Sequence, residues 1–377
     1  MYKIMTAGPT KVSERVRMAR SLECTNPDLD PAFYDFYKET CDIFEKVLNT
    51  NKHQALILSG EGILGLEAAC ASLTEPGDRV LVIDNGIFGK GFADFVKIYG
   101  GEPVSFVADY QKPVNPEELE KFLQEDDNFK YATVVHCDTP SGVLNDVETI
   151  SKVLDDHGIM TVVDSVAGLF GCKLDLGNSC IDILCGGSQK ALSAPPGLTM
   201  LWVSDRAYKS MEDRNTPIAS FFCNILGFRD YYINQWFPYT MPISDIYGLR
   251  EALNAVVEMD DEVYERHDRI AKATRAALVE GGLELYLKEG WAQTVTALCV
   301  PKEITDKQIL DTMRDEYNIL ISGCFDVLAG KVVRIGHMGE NARVDSVEET
   351  LVALQGTLEK LGVKVKCDLK EAFRNNL

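Results

Sequence analysis

Two stretches of the chain place charged side chains where a folded sheet could use them. In DILCGGSQKALSAPPGLTMLW, residues 182–202, an apolar strand ends in Gly186, Gly187, Ser188 and Gln189. Lys190 follows, before a small-residue turn with Pro195, Pro196 and Gly197. Small polar residues at a strand's carboxyl end let backbone N–H groups and hydroxyls face a ligand, and open α/β sheets bind ligands beyond those ends. A partly desolvated lysine there has lowered basicity and can form a Schiff base. Taken alone, a solvated loop lysine is the commoner outcome for this residue type. In MTVVDS, residues 160–165, Asp164 ends the preceding strand. An unpaired buried carboxylate is costly, and a pyridinium nitrogen is one partner that would hold it; a helix-cap or loop acid is the alternative. An aspartate on a ring nitrogen and a lysine on an aldehyde are the protein's main contributions to pyridoxal chemistry. Together, Asp164 and Lys190 favour that chemistry over either bland reading.

A third stretch poses a different question. LILSGEGILGLEAA, residues 56–69, reads as a buried strand, a glycine turn and the start of a helix. Gly60, Gly62 and Gly65 match the dinucleotide fingerprint, and Asp84 ends the next strand 19 residues after Gly65, near the place of a ribose-binding acid. Glu61 counts against that reading, because its carboxylate would sit beside a pyrophosphate. So does the helical lead-in before the first strand. The glycines can equally serve only a tight turn and close packing of helix on sheet.

The elements that carry these residues alternate. Strand candidates are ALIL (55–58), RVLVID (79–84), PVSFVA (103–108), YATVVHC (131–137), MTVVDS (160–165), DILCGG (182–187) and LTMLWVS (198–204), short, apolar and rich in β-branched residues. Helical spacing falls between them at 62–73, 88–99, 116–124 and 147–157, the third opened by Asn115 and Pro116 as N-cap and N1. The alternation predicts an α/β fold with a doubly wound, mostly parallel sheet. Phe33, Phe36, Tyr37, Ile43, Phe44 and Val47 form an apolar stripe on a helix before the first strand. A single long helix is expected over about 245–280, ended by Gly281 and Gly282, and the tail reads as α+β. The expected division is a large domain over 16–255 and a small C-terminal domain over 256–377 joined by residues 1–15.

Composition narrows the partners. The 377 residues carry a net charge of −20, which disfavours nucleic acid and anionic lipid. No segment approaches the ~20 apolar residues of a membrane span, and the opening MYKIMTAGPT lacks a signal-peptide apolar run. Eleven cysteines are scattered without a CxxC pair, as expected of free thiols in a reducing cytoplasm. The five histidines lack metal-ligand spacing, so no structural zinc is expected.

TVVDSVAGLFG followed by DILCGGSQKALSAPPGLTML resembles the class V, fold-type-I aminotransferases, the alanine–glyoxylate and serine–pyruvate group. The resemblance runs through TAGPT (6–10), LEAACASLTEPGDRVLVIDNGIFG (66–89), HCDTPSGVLND (136–146), FPYTMPISDIYGLREAL (237–253) and GKVVRIGHMG (330–339). It implies pyridoxal 5′-phosphate as cofactor. Lys190 would be the Schiff-base lysine and proton shuttle, with Asp164 on the pyridine nitrogen. Phe88 would stack on the ring, Thr139 would bond its hydroxyl, and Gln189 would lie by the phosphate. Gly60, Glu61, Gly62 and Val166 complete the implied cofactor contacts. Arg334 would grip the substrate carboxylate by a two-pronged contact, with Gly8 beside it. Phe237 stands where relatives offer a tyrosine hydroxyl to the phosphate, and Tyr239 and Thr240 would reach over from a second subunit. A homodimer is the implied minimum, with small-molecule substrates.

The departures from the group's pattern are informative. Glu61 replaces a small or hydroxyl residue, Phe237 lacks the hydroxyl, and Gly91 stands where many relatives have arginine. These changes resemble the pyridoxamine–pyruvate aminotransferase branch, which uses unphosphorylated pyridoxamine as amino donor and pyruvate as acceptor. On that resemblance, Glu61 accepts a hydrogen bond from the vitamin's free hydroxymethyl group. Cys324 stands about where the branch has a second substrate arginine, which implies weaker carboxylate binding or another acceptor. The alternatives are that Glu61 only caps its helix, leaving an ordinary alanine/serine–glyoxylate or –pyruvate aminotransferase, and, lower, a lyase or a desulfurase using Cys324.

Overall fold

The computed structural model describes residues 2–377. Its centre is a seven-stranded sheet. We label its strands β1 (His53–Ser59), β2 (Arg79–Asp84), β3 (Glu102–Val107), β4 (Tyr131–Val135), β5 (Met160–Asp164), β6 (Ile183–Gly187) and β7 (Leu198–Ser204). The spatial order is β1-β7-β6-β5-β4-β2-β3. Only β7 runs against its neighbours, pairing antiparallel with β1 and β6, so β1 points the same way as the parallel strands. Residues of β4, β5 and β7 are buried throughout, as expected for strands covered on both faces.

The helices start where local chemistry starts them. Pro31–Val47 opens with Asp30 accepting from Ala32 N–H and proline at the first turn; Pro116–Glu125 opens with Asn115 accepting from Glu117 N–H. Gly62–Leu73 follows β1 and is capped by Glu61. Tyr37 anchors the first of these helices to the sheet, its buried hydroxyl donating to Ile57 O at 2.7 Å.

Two large apolar cores result, beside a small cluster of Ala297, Leu328 and Val332. One packs both faces of the sheet and takes in Val256 and Val263; the other gathers Met5 with residues from Ile270 to Phe373. Lys3–Ile4 pairs in parallel with Ile319–Leu320, which ties the N-terminal segment to this second core. Strands Thr296–Cys299 and Val332–Ile335 pair antiparallel there, flanked by helices Asp306–Tyr317 and Val344–Lys360.

Three local expectations need correction. The long helix over 245–280 is two helices, Ile243–Met259 and Glu262–Glu280, separated at Asp260, whose φ of 51° leaves the helical region. The acids Glu262 and Glu265 sit in the first turn of the second, where the helix dipole favours them. The strand expected over 131–137 ends at Val135, and Cys137–Asp138 pairs instead with Val143–Leu144 in a separate hairpin. The glycine turn after β1 lies at the edge of the sheet, not at the centre where a dinucleotide fold places its first strand.

Candidate active site

Five strands deliver their carboxyl ends to one cleft of about 410 Å³. After β1 come Glu61 and, on the following helix, Ile63 and Leu66; after β2 comes Phe88. Cys137 and Thr139 follow β4, Asp164, Val166 and Ala167 end and follow β5, and Lys190 follows β6.

Lys190 lies in a turn buttressed by the N-terminal segment. Its Nζ donates to Ala7 O at 2.7 Å, and the Thr10 hydroxyl donates to Lys190 O at 2.9 Å. Gly8, at φ 104°, is the close neighbour: a Cβ there would lie 2.6 Å from Lys190 Nζ. Burial, and then the positive charge of Arg334, lower the Lys190 ammonium below its ordinary 10.5.

Asp164 is fully buried at the end of β5 and accepts one hydrogen bond within the chain, from Val166 N–H to Oδ1 at 2.9 Å. Burial pushes its carboxyl up to about 7, against the lowering effects of the Val166 N–H and Lys190. A buried acid with so few donors is matched by a cation or an N–H donor arriving in the cleft.

Glu61 does two things at once. Its Oε2 caps the helix Gly62–Leu73 by accepting from Ile63 N–H at 3.0 Å, and its Oε1 accepts from the Gln189 side-chain amide. Gln189 Oε1 is buried without a partner. Gly62 brings this helix start against Val166, whose methyls would lie 2.9 Å from a Cβ at position 62.

Arg334, on Val332–Ile335, is buried and donates to Gly323 O through Nε at 2.9 Å and to Thr139 O through Nη1 at 3.3 Å. Phe325 covers its guanidinium at 5.9 Å and meets Phe88 edge-on at 6.0 Å. Sequence reasoning missed Asp138, which is also buried here. It accepts from Phe88 N–H at 3.2 Å and from the Ser141 hydroxyl at 2.8 Å, and its charge faces Arg334. An acid inside the apolar VVHCDTPSG stretch was the available signal.

Residues 19–334 match the family model for aminotransferase class V. The chain is a class V aminotransferase. It is 34% identical over 96% of its length to an uncharacterized aminotransferase of Methanocaldococcus jannaschii, 94% of which is covered. It is equally 34% identical to the pyridoxamine–pyruvate transaminase of Mesorhizobium japonicum, over 96% of this chain and 92% of that one. Among solved structures, the ureidoglycine–glyoxylate aminotransferase of Bacillus subtilis superposes with a TM-score of 0.96 at 27% identity, covering 100% and 98% of the two chains.

Class V aminotransferases of this type depend on pyridoxal phosphate, and the aminotransferase has residues that fit the ring. The nearly unpartnered Asp164 carboxylate, the Phe88 ring and Lys190 line one cleft, and the orphaned Gln189 Oε1 lies beside Glu61. Three other expected contacts lie elsewhere in the single chain. Phe237 is buried in an aromatic cluster, stacked on Tyr34 at 4.8 Å and Tyr231 at 5.3 Å. Tyr239 stacks on Phe222 at 4.2 Å, and the Thr240 hydroxyl donates to Asp28 at 2.8 Å. None of the three lines this chain's cleft.

Proposed function

We propose that this aminotransferase takes the amino group of pyridoxamine and gives it to pyruvate, producing pyridoxal and alanine, with glyoxylate as the second-choice acceptor. The observation that carries the reading is Glu61: a carboxylate lines the cleft at the turn where phosphate-binding relatives place small or hydroxyl residues. A phosphate dianion beside it would meet like-charge repulsion, on the order of a few kcal/mol at close range. A hydroxymethyl group can instead donate a hydrogen bond to it. The similarity to a pyridoxamine–pyruvate transaminase supports the same choice.

On this reading each residue has a role. The bound vitamin would supply C4′, which bears the amino group in pyridoxamine and the aldehyde in pyridoxal, and a ring that withdraws electrons. Asp164 keeps a proton on the ring nitrogen. Lys190, held toward the N-terminal segment by Ala7 O, carries protons between the vitamin's C4′ and the amino acid's α-carbon; burial and Arg334 lower its basicity, which shifts the balance toward the free amine that takes up a proton. Arg334 receives the carboxylate of the acceptor by exchanging a backbone carbonyl for it. Phe88 and Val166 fix the plane of the ring. Tyr239 and Thr240 serve the cleft of a second subunit, so the working form is a homodimer; exposed Phe221, Ile233 and Trp236 support an apolar contact between copies. A reducing cytoplasm suits the eleven free cysteines.

A second reading has its own support. Because Glu61 caps Ile63 N–H, it can serve the helix alone, and the enzyme would then be a phosphate-bound alanine or serine aminotransferase acting on glyoxylate or pyruvate. The desulfurase alternative fits poorly: Cys324 is half-buried and burial pushes its thiol up, away from the thiolate such chemistry needs. Replacing Glu61 by serine separates the main readings. The proposal expects kcat/KM to shift from pyridoxamine toward pyridoxamine phosphate by about tenfold or more, the scale of one lost charge repulsion. An unchanged preference contradicts it.

A further inference from the structure

Behind the lysine turn, on the far side of Gly339, lies a shallow cleft of about 930 Å³ that no part of the reaction uses. Arg266, Arg269, Arg343 and Arg374 line it, against Asp345 and Glu348, with Glu340 paired to Arg343 at its edge, so arginines outnumber the carboxylates that face them. This is unexpected in a chain of net charge −20, where acids are plentiful enough to pair every arginine.

The pairing is uneven. Arg374 is bidentate to Glu348 at 2.6 and 2.8 Å, and Arg343 holds Glu340 at 2.7 Å. Arg266 instead donates to Met259 Sδ at 3.2 Å and Gly339 O at 3.4 Å, and its Nε is buried without a partner. Arg269 is exposed, and among the described residues it has no carboxylate in an ion pair. A buried guanidinium nitrogen left unpaired is expensive, and arginines crowded together repel; a multivalent anion relieves both. The 17-residue helix Val344–Lys360 also begins here: Ser346 N–H donates to Asp345 Oδ1 at 2.8 Å and Val347 N–H to Arg343 O at 3.0 Å, which leaves the N–H groups of Val344 and Asp345, both lining the cleft, for an anion.

We infer that this cleft is a binding site for a small phosphate-bearing anion, separate from the active site. Guanidinium forks match phosphate oxygens in pairs, and Arg266 and Arg269 are the lining arginines that no ion pair with a carboxylate occupies among the described residues. Through Gly339 the site adjoins the turn that holds Lys190: Glu340 N–H donates to Ser193 Oγ at 2.8 Å, and Ser193 N–H donates to Lys190 O at 2.9 Å.

The test uses the enzyme with pyridoxal fixed on Lys190 by borohydride, so that the active site is filled. Inorganic pyrophosphate is titrated by calorimetry at constant ionic strength into wild type, the double variant Arg269→Gln/Arg343→Gln, and Lys152→Gln as a distant exposed control. Saturable binding by wild type and the control, weakened about tenfold or more in the double variant by the loss of two charge-assisted contacts, is expected. Absence of saturable binding, equal binding by the double variant, or tighter binding of citrate than of pyrophosphate overturns it. Both substituted arginines are exposed and outside the cores, so a folded double variant is expected, and circular dichroism verifies it.

Discussion

Replacing Asp164 by asparagine should make the cofactor-free enzyme more stable and nearly inactive. The carboxyl is fully buried and pushed up from 3.8 to about 7. That interval corresponds to roughly 4 kcal/mol of disfavoured charge. For an acid raised in the folded state, the penalty is absent below the unfolded value, grows as pH rises, and is complete above about 7. Asparagine carries no charge at any pH and keeps an oxygen for the Val166 N–H. Cofactor-free Asp164→Asn should therefore gain up to about 4 kcal/mol over wild type at pH 8, shrinking to about 1 kcal/mol at pH 4.5. Urea unfolding at the two pH values measures this as a shift in midpoint at constant slope. The same substitution removes the partner that holds the ring-nitrogen proton. Losing one member of a buried pair costs about 3–5 kcal/mol, so single-turnover amino transfer should slow by about 10²–10³-fold or more. A variant that is less stable than wild type at pH 8, or one that retains full activity, refutes the assignment of Asp164.

Two further outcomes follow from the lysine turn. Because burial and Arg334 lower Lys190, the rate of pyridoxal capture should rise with pH around a midpoint below 10.5; a midpoint at or above that value contradicts a desolvated lysine. Gly8→Ala would put a methyl 2.6 Å from Lys190 Nζ on a backbone at φ 104°. It should lower kcat by about 10²-fold, the scale of a small misplacement of a reacting group, and wild-type turnover in that variant would show that the contact is irrelevant.

The parts of this molecule that could be read from the sequence are those governed by local pattern. Apolar β-branched runs placed all seven central strands within a few residues, and Asn115-Pro116 marked its helix start because N-cap chemistry is local. Lys190 and Asp164 were legible because a charged residue at the end of an apolar strand is conspicuous, and the cleft brings both together. Long-range relations were not legible. Nothing in the β1 sequence reveals that it pairs antiparallel with β7 at a sheet edge, which is what removes the dinucleotide reading. The helix break at Asp260 depends on one residue's left-handed backbone within an otherwise helical pattern. Asp138 escaped notice because its partners, Phe88 N–H and Ser141, come from separate turns. Phe237 illustrates the limit of motif matching: its position in FPYT suggested a cofactor contact, while the surrounding Tyr34, Tyr37 and Tyr231 give it a packing role in its own chain.

The choice between the free vitamin and its phosphate rests on Glu61, and parallel labelling of Lys190 by each aldehyde tests it most directly. The enzyme is stripped with hydroxylamine, incubated separately with equal low concentrations of pyridoxal and pyridoxal phosphate, reduced with borohydride, and weighed intact by mass spectrometry. The account predicts far greater labelling of Lys190 by pyridoxal. Preferential labelling by the phosphate would mean that Glu61 serves only its helix, and that the enzyme is a phosphate-dependent alanine or serine transaminase.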